Sequence, residues 1–167
     1  MNKGGGMRKR SKIGIGMGLG MLWAVLVVGC PQSLTQPFVP INVALISAFV
    51  PGGLFLLVII GRLAQRRFFE DAIIDGDPFR PGSPAEIDQR VLQNTVEQLV
   101  LAMALWPFVG LTLGALVVIW MGVGFAIARI IFWLGYHLSP PLRAFGFAAS
   151  FYPTVLGALW AIVVWAK

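Results

Sequence analysis

Residues 83–106 read SPAEIDQRVLQNTVEQLVLAMALW, and the fold follows from how this stretch divides. Its first half carries Arg90, Asn94 and Glu97 at offsets of four and three. At about 100° per residue these side chains fall on one face of a helix. From Leu99 to Trp106 the same stretch is apolar. Ser83 is placed to act as N-cap, Pro84 suits the first helical position, and Glu86 stands where a capping box needs it. The spacing therefore predicts a helix that begins near Ser83 and runs into a membrane. An Arg, an Asn and a Glu at the mouth of a membrane helix are costly unless partnered. A binding site is one reading of them. A solvated helix end in which Arg90 and Glu97 offset each other is the other.

The composition supports the membrane. Of 167 residues, 57% are hydrophobic and only 12% charged, against roughly 25% charged in a soluble domain. The length suits one helical bundle and no second domain. A net charge of +6 suggests nucleic acid at first sight, but Lys3, Arg8, Lys9, Arg10 and Lys12 all precede the first apolar stretch. That is the pattern of a cytoplasmic flank, and no basic patch interleaved with aromatics appears. Nucleic acid is therefore excluded as a partner. The single cysteine, Cys30, has no second cysteine to pair with.

Five apolar segments follow. Residues 1–12 are the basic flank, and residues 13–30 form a first span or anchor. The same stretch also reads as a cleavable signal sequence, and Val28-Gly29-Cys30 resembles a lipoprotein cleavage site. Residues 31–40, with three prolines, read as a short turn. Residues 41–61 form the second span, in which Pro51-Gly52-Gly53 should introduce a kink or admit a close neighbour. RLAQRR (62–67) and a polar loop (70–82) follow. The loop lacks the ligand spacing of a calcium site. The third span is 84–106, with Trp106-Pro107 marking its far end. The fourth is 111–136, where Arg129, Phe132 and Tyr136 share a face. The turn at 137–141 leads into the last span, 141–166, opened by Arg143. Counting spans from a cytoplasmic N-terminus puts the 62–83 loop and the 137–141 turn on the cytoplasmic side. Arg90, Asn94, Glu97, Arg129, Tyr136 and Arg143 then gather at one membrane face.

These residues resemble a known pattern, that of the membrane-associated proteins in eicosanoid and glutathione metabolism, abbreviated MAPEG, in a bacterial-type form. The family's second helix carries Arg, three residues, Asn, two residues, Glu; here it reads Arg90-VLQ-Asn94-TV-Glu97. Its third helix ends near an Arg and a Gly-Tyr, with an Arg seven residues later; here these are Arg129, Gly135-Tyr136 and Arg143. The resemblance covers 41–167, so residues 13–30 would be an addition to a four-helix membrane bundle.

The resemblance implies an all-α integral membrane protein, a homotrimer, and glutathione bound between subunits as co-substrate. Arg90, Asn94, Glu97 and Arg129 would hold the peptide, with Arg66 or Arg67 as a further carboxylate ligand. Tyr136 would add a hydroxyl contact, and Arg143 would face the thiol. The implied activity is transfer to, or reduction of, a hydrophobic small molecule in a multi-pass protein of the bacterial inner membrane. Phe132 stands where several catalytic members carry a Tyr, which leaves a non-catalytic protein binding a lipid or a partner as the alternative. A third reading, outside the family, is a small helical subunit of a transport or envelope complex. His137 reads as a solvated turn residue, and no metal constellation is present in the sequence.

Overall fold

The computed structural model describes residues 3–35 and 38–167, with side chains from residue 10 onward. The side chains of Lys3, Arg8 and Lys9, and residues 36–37 of the first turn, lie outside this description. Five helices follow in order: α1 (Lys3–Ser33), α2 (Ile41–Phe69), α3 (Pro84–Leu113), α4 (Ala115–Leu138) and α5 (Pro140–Trp165). A single 3₁₀ turn, Asp71–Ile73, lies in the loop after α2. All five helices are long and apolar enough to cross a membrane. The bundle is all-helical, as the periodicity requires.

Several boundaries differ from the expected ones, and those within the apolar spans share one physical cause. In hydrocarbon, a helix that stops leaves carbonyls and amides with no water to pair. α3 therefore continues through Pro107 to Leu113 instead of ending at Trp106. α1 continues through Pro31 to Ser33, so the 31–40 turn is shorter than its prolines suggest. α1 begins at Lys3, so the basic stretch at 1–12 and the apolar stretch at 13–30 share one helix from that residue on. α2 runs past residue 61 to Phe69, carrying RLAQRR with it. α2 is also unbroken at Pro51, and the adjacent Gly52 is buried against the Leu99 and Phe125 side chains.

Small residues set how closely the helices approach. A β-carbon at Gly122 on α4 would overlap the backbone of Ala48 on α2. Trp106 fills the centre of the bundle. Its ring stacks on Phe49 at 5.4 Å, meets Phe125 edge-on at 6.1 Å, and donates its indole N–H to Thr154 Oγ1 at 3.0 Å. That last bond satisfies a polar group that would otherwise be stranded in apolar surroundings.

Two connections are very tight. One residue, Gly114, joins α3 to α4 at φ 107°, a value that favours glycine. Ser139 alone joins α4 to α5. α4 and α5 are then pulled together by two glycines. A β-carbon at Gly135 would overlap the Arg143 backbone, and one at Gly146 would overlap the Phe132 backbone. This crossing brings the C-terminal half of α4 against the N-terminal half of α5.

Candidate functional site

The start of α3 lies where the sequence predicts, but the capping box is incomplete, since the Ser83 amide donates to the Arg80 carbonyl oxygen and not to Glu86. Ser83 Oγ accepts from the Glu86 amide at 3.2 Å, Pro84 is the first helical residue, and Glu86 Oε2 accepts from the Gly82 amide at 2.6 Å. The buried stripe of Asp88, Val91, Thr95 and Ala102 sets the rotation of α3. Asn94 is thereby turned toward α4.

Arg129 meets it there. The residue is fully buried, and its Nη1 donates to Asn94 Oδ1 at 2.8 Å. Nη2 donates to the Gly146 carbonyl oxygen at 3.3 Å and to Ser150 Oγ. The guanidinium also lies over the Phe132 ring at 4.4 Å. Every one of these partners is neutral. Among the described residues no carboxylate forms an ion pair with Arg129. A buried charge is ordinarily paired, so the positive field of this guanidinium is uncompensated among the described residues of the chain.

Beside it lies a cavity of about 380 Å³ to which Asn94, Phe132, Tyr136 and Arg143 all contribute. The Arg143 guanidinium sits over the Tyr136 ring at 4.9 Å, and the Tyr136 ring meets Phe132 edge-on at 5.3 Å. The residues lining it include the Arg143 guanidinium, the Tyr136 hydroxyl and the Asn94 amide, and no acid. Chemically, this arrangement favours an anion or a group that becomes one.

The expected cluster of six side chains is only partly formed in this chain. Asn94, Tyr136 and Arg143 line the cavity, with Arg129 bonded to Asn94. Arg90 and Glu97 are not among its lining residues. Arg90 is exposed and pairs with Glu86 at 2.6 Å, and Glu97 is exposed and accepts from Gln93 Nε2 at 3.1 Å. Both belong to an outer stripe of α3 shared with exposed Val96 and Val100. Arg67 is placed elsewhere: it donates to the Ile73 carbonyl oxygen at 3.2 Å and lies over the Phe79 ring at 4.4 Å. Arg66 is committed to Asp88 at 2.8 Å. His137 is exposed at the end of α4.

Asp88 and Ser150 escaped the sequence reading. Asp88 is fully buried and accepts from Arg62 Nε at 3.1 Å, Arg66 Nε at 2.8 Å and Trp133 Nε1 at 2.8 Å. It joins α2, α3 and α4 near the site. A usable signal existed: 62–67 is basic, and Asp88 is an acid in the early turns of the helix that follows. Ser150 lies seven residues after Arg143, on the same face of α5.

Comparison with known proteins places this geometry in a wider setting. A family model described as the MAPEG family matches residues 43–163, which takes in nearly all of α2 to α5 and leaves α1 outside. No curated protein and no solved structure matched the chain.

Proposed function

Because this chain belongs to the MAPEG family, we propose that it is a membrane-bound glutathione-dependent transferase or peroxidase acting on lipophilic electrophiles or hydroperoxides. The observation that carries this reading is the acid-free cavity lined by Asn94, Tyr136 and Arg143, backed by an unpaired buried charge on Arg129. Glutathione brings two carboxylates and a thiol, all of which such a site favours in their anionic forms.

Arg143 is the residue assigned to the thiol. It stands in the first turns of α5, whose backbone N–H groups already favour an anion. Its guanidinium stays charged at any working pH. A free thiol titrates at about 8.5, so little of it is thiolate at neutral pH. In the transferase reaction the thiol proton leaves to solvent and sulfur forms a bond to the electrophilic carbon. The leaving group departs with its bonding pair. In the peroxidase reaction sulfur bonds to a peroxide oxygen as the O–O bond breaks. The released alkoxide takes a proton, and a second thiol then converts the sulfenic acid to disulfide and water.

The test is the ultraviolet thiolate band of bound glutathione across pH. The titration midpoint is expected to rise by about one to two units in Arg143→Met, with a smaller rise in Tyr136→Phe. An unchanged midpoint with glutathione still bound would return Arg143 to a headgroup contact.

Phe132 favours a second reading, a non-catalytic member that binds a lipid. Its ring is 4% exposed, takes part in the cavity wall and offers no hydroxyl. Turnover with a generic aromatic electrophile separates the two, and Phe132→Tyr should raise it if the missing hydroxyl is limiting.

The assembly proposed is a homotrimer in the bacterial inner membrane. Glu97 supports it. A carboxylate exposed between Val96 and Val100, about 20 Å along a membrane helix, is costly against lipid. A neighbouring subunit would cover it and bring it to a second protomer's cavity, where it would meet the glutathione ammonium. Native mass measurement in mild detergent is expected to give three copies, and a monomer that binds glutathione contradicts the shared site. The cavity is proposed to face the cytoplasm. A cysteine introduced within 72–80 should resist labelling from outside, and ready labelling would reverse the orientation.

A further inference from the structure

The cavity has a wall that the family-matched segment does not supply. α1 lies parallel to α5, and the contact is built on glycine. A β-carbon at Gly16 would overlap the Pro141 carbonyl oxygen, and one at Gly20 would overlap the Ala148 side chain. Ala24 and Val28 continue the stripe at the same spacing, and both are fully buried. A β-carbon at Gly14 or Gly18 would meet no other part of the bundle within 4 Å. At the far end Gln32 Nε2 donates to the Leu113 carbonyl oxygen at 2.9 Å. Small residues four apart let two membrane helices approach until dispersion holds them.

This register decides which α1 side chains face the site. With Gly16 and Gly20 against α5, Ile13 and Met17 are rotated by about 60–100° to one flank of the contact, and Ile15 and Leu19 by a similar angle to the other. The first pair lines the cavity that holds Asn94, Tyr136 and Arg143. The second pair lines a separate groove with Ser139, Pro141 and Phe145. The two flanks are chemically different, because only the first meets a charged residue, Arg143.

We infer that α1 is the bilayer-side wall of the site, and that Ile13 and Met17 set the size of the lipophilic co-substrate admitted beside Tyr136 and Arg143. The inference rests on the glutathione reading for the identity of the thiol. The walls suit an amphiphilic electrophile of lipid origin. Its polar reacting group lies toward Asn94, Tyr136 and Arg143, and its aliphatic tail runs along Ile13, Met17 and Phe147. Met17 is a flexible side chain that adapts to tails of different shape. A ring in its place takes up that room.

The experiment uses the full chain in lipid nanodiscs with two probes, glutathione and S-decyl-glutathione, titrated calorimetrically. Met17→Phe is expected to weaken S-decyl-glutathione by about tenfold, the worth of roughly two excluded methylenes, and to change glutathione less than about twofold. Ile13→Ala with Met17→Ala should shift turnover toward longer-chain electrophiles. Leu19→Phe, on the other flank, should leave both probes as in the parent. Equal weakening of both probes by Met17→Phe, or the same loss from Leu19→Phe, overturns the inference. A parent that binds neither probe contradicts the glutathione reading, and the wall is then judged by cross-linking in a Cys30→Ser background. A short bis-maleimide should join Met17→Cys to Asn94→Cys across the cavity and fail to join Leu19→Cys to Asn94→Cys. Failure of the first pair, or success of both, removes α1 from the site.

Discussion

Arg129→Met is expected to weaken glutathione binding by about a hundredfold while leaving the unliganded protein folded. Two unit charges about 6 Å apart at an effective dielectric near 20 interact by roughly 3 kcal/mol, which is the size of this loss. Methionine is long enough to occupy much of the space between Asn94, Phe132 and Ser150. Replacing a buried, unpaired charge by an apolar side chain is often neutral or stabilising. Binding and stability should therefore move apart. Calorimetric titration with glutathione reads the first, and a thermal melt in detergent without ligand reads the second. Arg129→Lys should retain part of the affinity, since it keeps the charge but loses the planar fork that spans Asn94 and Gly146. If Arg129→Met binds glutathione within twofold of the parent, the guanidinium is a helix clamp and has no part in the site.

The opposite separation is expected at Asp88. Asp88→Ala should cost about 3–5 kcal/mol of stability, because a buried carboxylate is removed from partners that remain. Arg66 and Trp133 carry most of this, since the Arg62 side chain is 43% exposed and already partly solvated. Asp88→Asn should cost less, because its amide oxygen still accepts from Trp133. The thermal melt is expected to fall in that order, with the affinity of any surviving folded protein for glutathione little changed. A melt unaltered by Asp88→Ala would show that α2, α3 and α4 are held at this end by packing alone.

These two residues also mark where the sequence was legible. Five spans, the Ser83 cap and the shared face of Arg90, Asn94 and Glu97 follow from periodicity and turn chemistry, and all are present. A helical face, however, does not say what stands opposite it. Arg90, Asn94 and Glu97 cover a sector of about 60°, and only Asn94, at one edge of it, is turned to Arg129. The other two face outward. Asp88 was overlooked because its partners lie 22 and 26 residues away, across a loop. Trp106-Pro107 misled for a different reason. The proline signal is calibrated on helices that can hand their free carbonyls to water, and this helix cannot.

The one-residue connection at Gly114 bears on how the protein is made. Two spans joined so tightly have little slack to enter the bilayer separately, and the connection favours delivery of α3 and α4 as a helical hairpin. Arg129 alone would be a poor candidate for insertion, since a lone arginine deep in a nascent span is resisted by the lipid. In a hairpin its hydrogen-bond partner travels with it. Arg129 Nη1 reaches Asn94 Oδ1 across the two arms at 2.8 Å, although Asn94 stands further from Gly114 than Arg129 does. The glycine thus couples the biogenesis of the membrane domain to the burial of Arg129.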